Sequence, residues 1–140
     1  MLSVVTWLWG HEPGMPEGRW DAFFRFGPEM VVRLCDAVRQ NLRLPHELVV
    51  VTDYPAEHFP SWIRRVDLMQ HFGELRPLSG CWLRLKAFAP GMETVLGRRV
   101  AWIDLDSVVV GDLTPLFDRP EPTVLYWSNS LRTQPWNGSV

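Results

Sequence analysis

Two unbroken apolar runs with one amphipathic stretch between them restrict the folds open to this chain more than any other feature. Ser3-Val4-Val5-Thr6-Trp7-Leu8-Trp9 and Glu47-Leu48-Val49-Val50-Val51-Thr52 lack the alternation of a strand with one wet face, so both read as strands covered on both sides. Gly10 ends the first and Asp53 the second. From Pro28 onward, Met30, Val31, Leu34, Cys35, Val38 and Leu42 recur at helical spacing, while Arg33, Asp36, Arg39, Gln40 and Arg43 fall largely elsewhere around the wheel. Pro28 suits a first turn, Glu29 suits the positive end of a helix dipole, and Leu44-Pro45 stops the helix. A strand, a helix and a strand in that order imply a right-handed crossover and a parallel pair.

The rest of the chain continues the alternation. Ile63 to Leu68 reads as a third strand, and Cys81 to Ala89 as a helical segment with Trp82, Leu85 and Phe88 on one side, ended by Pro90-Gly91. Arg99 to Asp104 reads as the central strand, Val108 to Val110 as a short following strand and Thr123 to Trp127 as another. Thr114-Pro115 has the form of a cap and first position for a short helix through Phe117. The expected fold is α/β, a three-layer α/β/α sandwich with a mainly parallel sheet, in a single domain over residues 1–140. In such sheets ligands gather outside the carboxyl ends of the strands. Thr6 to Gly10, Thr52-Asp53, and Asp104 with Asp106 all fall at such ends.

The acids of that last group sit in the run Val100-Ala101-Trp102-Ile103-Asp104-Leu105-Asp106-Ser107-Val108-Val109-Val110. Side chains alternate along a strand, so Asp104 and Asp106 are expected on the same side, within reach of one ion or one polar substrate. Burying two like charges unpaired beside Trp102, Ile103 and Leu105 costs several kcal/mol, which a divalent cation or a catalytic role would offset. The alternative is that both acids cap a strand and face water.

Composition narrows the partners. A formal charge of −2, with Lys and Arg scattered rather than striped, argues against nucleic acid. Cys35 and Cys81 form neither a CxxC pair nor a disulfide framework and read as buried thiols in a reducing compartment. No run approaches membrane-spanning length, and the apolar stretch Ser3 to Trp9 is too short for a signal peptide's core and lacks a basic leader, so a cytoplasmic protein is expected.

The segment Ile103-Asp104-Leu105-Asp106-Ser107-Val108-Val109-Val110-Gly111-Asp112-Leu113 resembles the Asp-x-Asp segment of GT-A-fold glycosyltransferases, close in style to glycosyltransferase family 8 and its bacterial relatives. Trp9-Gly10, Phe26-Gly27-Pro28-Glu29-Met30-Val31, Val51-Thr52-Asp53, Trp82-Leu83-Arg84-Leu85 with Phe88, and Trp136-Asn137-Gly138-Ser139-Val140 occur around it in the family's order. The resemblance implies a metal-dependent glycosyltransferase that moves a sugar from a nucleotide-diphosphate sugar, a UDP-sugar first among them, to an unknown acceptor. Asp106 would bind Mn²⁺ or Mg²⁺ directly, and Asp104 would contact the ribose, or the metal through water. Asp53 would contact the nucleoside, Arg84 the donor phosphates, and Asn137 the donor sugar or acceptor, with Trp9 and Gly10 beside the donor. For each a plain reading stands beside this one: a turn-forming Asp53, a solvated Arg84 and Lys86, and an ordinary Asn-Gly turn.

Three features depart from the family. The segment His11 to Arg25 is long, and its aromatics could form a lid, an acceptor surface or a satellite core. A late histidine that completes the metal shell in many relatives has no counterpart, since His11, His46, His58 and His71 all precede the Asp-x-Asp. The sequence stops at Val140 within what the resemblance makes the next strand, which implies either a fragment or a degenerate, truncated copy, with weak or no transfer activity in this form. One rival is a non-catalytic domain that binds a nucleotide or a partner. The other is a haloacid dehalogenase-type phosphatase with Asp104 as nucleophile and Asp106 as general acid/base, although only 34 residues follow Asp106 and none is Lys.

Overall fold

A computed structural model of the protein describes residues 1–9, 26–75 and 80–121. Strands β1 (Leu2–Leu8), β2 (His46–Thr52), β3 (Ile63–Asp67) and β4 (Val100–Trp102) make one four-stranded sheet in the order β3-β2-β1-β4. Every neighbouring pair is parallel, with Val5 opposite both Val49 and Trp102, and Val51 opposite Val66. The parallel β1–β2 pair and the helix between them follow directly from the apolar runs and the amphipathic stretch that separates them.

Both faces of the sheet are covered. On one face Val4, Leu8, Leu48, Val50, Ala101 and Ile103 pack with Val31, Leu34, Cys35 and Val38 of α1 (Pro28–Asn41). Phe117 of α4 (Thr114–Phe117) joins that cluster. On the other face Val5, Trp7, Val49, Val51 and Val66 meet Leu68 and Phe72 of α2 (Leu68–Phe72) and Leu96 of α3 (Glu93–Leu96). Leu83 of a 3-10 helix, Gly80–Phe88, completes this second cluster. Burying a Val side chain contributes roughly 1.5 kcal/mol or more, so the valines on both faces of β2 tie that strand to both layers. Cys35 is a free thiol inside the first cluster, and burial pushes its pKa up to about 12, so it stays protonated and unreactive.

Several expectations are corrected. The third strand ends one residue early because the Asp67 carboxylate accepts from Gln70 N at 3.0 Å and starts α2 at Leu68. The strand expected over Arg99 to Asp104 spans only Val100–Trp102 and lies at the edge of the described sheet, leaving β1 and β2 central. No strand forms over Val108 to Val110, where Val108 and Val110 face solvent and only Val109 packs against the α1 cluster. Thr114 is the first residue of α4 rather than its cap: Asp112 Oδ1 accepts from Thr114 N at 2.9 Å, and Thr114 Oγ1 accepts from Arg43 N at 3.0 Å. The segment expected to be helical over Cys81 to Ala89 is a 3-10 helix, in which every third residue eclipses. Trp82, Leu85 and Phe88 therefore share a stripe, but that stripe faces outward, with Trp82 62% and Phe88 73% exposed, and Leu83 faces the core. The strand expected at Thr123 to Trp127 and the loop His11 to Arg25 lie outside the described residues.

The amino ends of the strands are held by a polar network. Arg64 donates from Nε to Glu47 Oε2 at 2.8 Å and from Nη2 to Glu47 Oε1 at 3.0 Å. Ser3 Oγ donates to Glu47 Oε1 at 2.6 Å, and Arg64 Nη1 donates to Val95 O at 2.9 Å, which anchors α3. The Arg64 hydrogen bonds hold the Glu47 carboxyl below its ordinary range against an opposing push from burial, with Ser3 assisting. Gly97, just past α3, adopts a φ of +100°, and a Cβ there would overlap Ser3 Oγ. A side chain at Gly97 would displace the Ser3 hydroxyl from its hydrogen bond to Glu47.

Candidate functional site at the carboxyl end of the sheet

Three of the expected site residues meet where the strands end. Trp9 follows β1, Arg84 stands on the 3-10 helix, and Asp104 lies two residues beyond β4. Arg84 Nη1 donates to Asp104 Oδ1 at 2.6 Å, and the guanidinium carbon lies 5.4 Å from the centroid of the Trp9 ring. Their side chains are 23% and 28% exposed, so this ion pair is half-sheltered rather than fully solvated. Arg84 Nε is buried and has no acceptor among the described residues. The 3-10 geometry explains why Arg84 points here: Leu83 turns into the core, and the next residue falls about a third of a turn around.

The strand register places Asp104. Ala101, Ile103 and Leu105 point into the α1 face, while Val100 and Trp102 pack on the opposite face, beside the 3-10 helix. Ile103 N donates to Val5 O at 3.1 Å, so the β1 ladder runs one step past β4. A turn then closes, with Ser107 N donating to Asp104 O at 3.0 Å. This corrects the expectation that both acids extend from one continuous strand and are buried together. Asp106 sits at the third position of the turn and is exposed, and it makes no hydrogen bond or ion pair among the described residues. Water on Asp106 and Arg84 on Asp104 remove most of the cost that the strand reading assigned to burying the two charges.

Asp53 stands at the carboxyl end of β2, next to β1, in a bend where Tyr54 N donates to Thr52 Oγ1 at 3.1 Å. It lies at the same carboxyl end of the sheet as the Trp9–Arg84–Asp104 group. Gly10 and Asn137 lie outside the described residues. Lys86, expected as a solvated helix charge, pairs with Glu74 at 2.8 Å. Aromatic rings line the same side: Trp7 meets Phe72 at 5.0 Å and Trp102 at 6.3 Å between centroids, and Phe88 meets Trp102 at 4.9 Å. The Trp7 indole N–H and the Thr6 hydroxyl, both near the end of β1, are buried without a hydrogen-bond partner among the described residues. An open hollow of about 450 Å³ beyond the turn is lined by Ile103, Ser107, Val109 and Leu113 and includes neither Arg84 nor Asp104.

The residues at this end fit a hard cation only in part. Among the described residues no three His, Cys, Asp or Glu side chains gather into a ligand set. What is present is an exposed carboxylate and a paired one, separated by one residue on a turn. Mg²⁺-type sites often use one or two carboxylates and complete their shell with substrate phosphate and water, and this donor set fits that kind of site rather than a protein-only cage. The direct Arg84–Asp104 pair was missed in reading the sequence. Its signal was the 20-residue separation of a lone Arg and a strand-end Asp, which only the fold brings into contact.

Comparison with protein-family models, with curated proteins and with solved structures returned no match. No helix among the described residues is long and apolar enough to cross a membrane.

Proposed function

We propose that this chain binds the donor of a metal-dependent glycosyltransferase of the GT-A type, with the nucleotide-diphosphate sugar at the carboxyl end of the sheet. The observation that carries the reading is the meeting of Arg84, Asp104 and Trp9, contributed by three distant parts of the chain, beside an exposed second carboxylate on the Asp104–Ser107 turn. In this reading Asp106, with Asp104, holds Mn²⁺ or Mg²⁺, and the bound cation would neutralise charge on the diphosphate. Arg84 offers a forked cation to the remaining phosphate oxygens, and its buried Nε–H is a donor lacking an acceptor among the described residues. Asp53 faces the nucleoside from the neighbouring strand end. Trp9 borders the donor in this reading, the sequence resemblance alone adds Gly10 and Asn137, which lie outside the described residues, and the acceptor is a separate molecule of unspecified class.

The phosphatase alternative is weaker on one specific ground. A carboxylate that must attack phosphorus loses nucleophilicity when an Arg donates to it at 2.6 Å, and Asp104 is so paired. Calorimetry with uridine diphosphate, run with Mn²⁺ and then with a chelator, tests the proposal. Binding that requires the cation is expected, and equal affinity in chelator overturns it.

A further inference from the structure

We propose that the chain pairs with a second copy of itself through the outward row of the 3-10 helix Gly80–Phe88, with Leu85 on a two-fold axis and Trp82 of each copy against Phe88 of the other. Neither the sugar donor nor a metal enters into this pairing.

Leu83 fixes which side of the helix is wet. It is buried in the second core cluster, and at three residues per turn Trp82, Leu85 and Phe88 stack in one straight row at intervals of about 6 Å. They are 62%, 55% and 73% exposed. Since an aromatic side chain offers roughly 150–250 Å², the row presents an apolar strip on the order of 400 Å², the size at which exposed apolar surface marks a contact site. A specific protein–protein contact buries about 1,000 Å² or more in total. Two such strips face to face supply most of that area, and the rim around them supplies the rest.

The order of the side chains selects the occupant. A two-fold contact sets residue i of one copy against j of the other and j against i, so the patch must complement its own reverse. Ring, aliphatic chain, ring reads the same in both directions. Aromatic residues are the ones enriched in the cores of such contacts. The Phe88 ring is also held in advance, 4.9 Å from the ring of Trp102, so it loses less freedom on pairing.

Charge points the same way. A two-fold axis brings like charges together, which opposes pairing wherever the flanks carry unbalanced cations. Both basic residues of this helix are balanced within the chain: Lys86 Nζ lies 2.8 Å from Glu74, and Arg84 Nη1 lies 2.6 Å from Asp104. An anionic lipid surface would instead call for unbalanced Lys and Arg beside the apolar row. Val108 and Val110 are exposed too, but on the segment whose Val109 packs against the α1 cluster, and they serve as the control.

Sedimentation equilibrium over a dilution series reads the pairing, with thermal melts as a check on folding. The wild type is expected to dimerise reversibly. Leu85→Glu and Leu85→Lys each set like charges on the axis and should raise the dissociation constant by about 100-fold or more, because the central contact is lost from both copies at once. Mixed in equal amounts, the two variants should pair with each other, as the axis then sets carboxylate against ammonium. Val110→Glu should match the wild type. If either Leu85 variant does not fold, Trp82→Ser takes its place and should also weaken the dimer.

A wild type that stays monomeric throughout overturns the proposal, and sedimentation of that monomer with phosphatidylcholine vesicles would give the row to a lipid surface instead. A dimer that survives Leu85→Glu or Trp82→Ser undiminished overturns it, as does one that Val110→Glu weakens equally. A mixture of the two Leu85 variants that remains monomeric removes the two-fold arrangement.

Discussion

The two ends of the sheet are built on opposite plans. At the amino ends of the strands, Glu47 accepts three hydrogen bonds, from Arg64 Nε, Arg64 Nη2 and Ser3 Oγ, and the remaining Arg64 donor reaches Val95 O. At the carboxyl ends, among the described residues, Arg84 makes one hydrogen bond, to Asp104, and its buried Nε has no acceptor, nor have the buried Trp7 indole N–H and Thr6 hydroxyl a partner there. A buried polar group without a partner costs roughly 1–3 kcal/mol, so groups of this kind favour an acceptor or donor brought by a ligand or by another part of the chain. Among the described residues, a satisfied network at one end and three buried polar groups without partners at the other separate structural from functional demands. The amino end should thus respond to mutation mainly in stability, and the carboxyl end mainly in binding.

The largest loss of stability is expected from Gly97→Ala. The φ of +100° and the overlap of a Cβ with Ser3 Oγ act together, and the substitution should cost about 3 kcal/mol, the upper part of the range for a backbone held in a glycine-only region. Urea unfolding measures it. A loss below half that figure would show that the amino end tolerates slack and would blunt the contrast between the two ends.

Next comes Glu47→Gln, which weakens both Arg64 contacts and the Ser3 contact. About 1.5 kcal/mol is expected, at the low end for charge-assisted hydrogen bonds because the Arg64 side chain is 40% exposed and partly screened. A pH signature accompanies it. The folded-state pKa of Glu47 lies below the ordinary value of 4.5, so the stability it contributes is fully present above that value and is lost as pH falls through the folded pKa. In Glu47→Gln that part of the acid dependence should vanish. Parallel stability curves for wild type and variant between neutral pH and the acid transition would contradict the assignment.

The contrast also explains what could be read from the sequence. The runs 3–9 and 47–52 and the helix at Pro28 were legible because burial on both faces leaves an unbroken apolar signature and a crossover leaves a 3.6-residue one. Local capping and turn hydrogen bonds left no such periodic signature at the places that were misread. Asp67 starts a helix at Leu68 through one side-chain hydrogen bond, and the turn closed by Ser107 N ends a strand that composition alone would extend to Asp104. Trp82, Leu85 and Phe88 were rightly placed on one side, but their outward orientation depends on Leu83 being the residue that reaches the core. At the candidate site, the chemistry of Asp104, Arg84 and Trp9 was visible residue by residue, whereas their contact was not. The Glu47–Arg64–Ser3 network went unseen because its members are 17 and 44 residues apart.

Arg84→Leu should change stability by less than about 1 kcal/mol, because the lost ion pair is partly exposed and the substitution also removes a buried Nε that has no acceptor among the described residues. Binding is where it should register, through loss of uridine diphosphate affinity in chelator. A destabilisation matching that of Glu47→Gln would mean that the carboxyl end carries as much structure as the amino end.

The smallest expected effect on stability belongs to Asp106→Asn. Asp106 is exposed on the turn and makes no hydrogen bond or ion pair among the described residues, so the substitution should leave the urea midpoint within about 0.5 kcal/mol of wild type, as for other surface positions. Its effect on binding should be the reverse in size. The exposed carboxylate is the part of the donor set that Arg84 does not hold, and Asn keeps the shape of Asp while removing the charge a hard cation requires. The Mn²⁺-dependent share of uridine diphosphate binding should disappear in this variant, while the metal-independent share, which depends on Arg84, should remain. Calorimetry of the variant with Mn²⁺ and with chelator separates the two shares. Full retention of the Mn²⁺ effect would remove Asp106 from the cation site, and a marked drop in stability would show that the turn is a structural element after all.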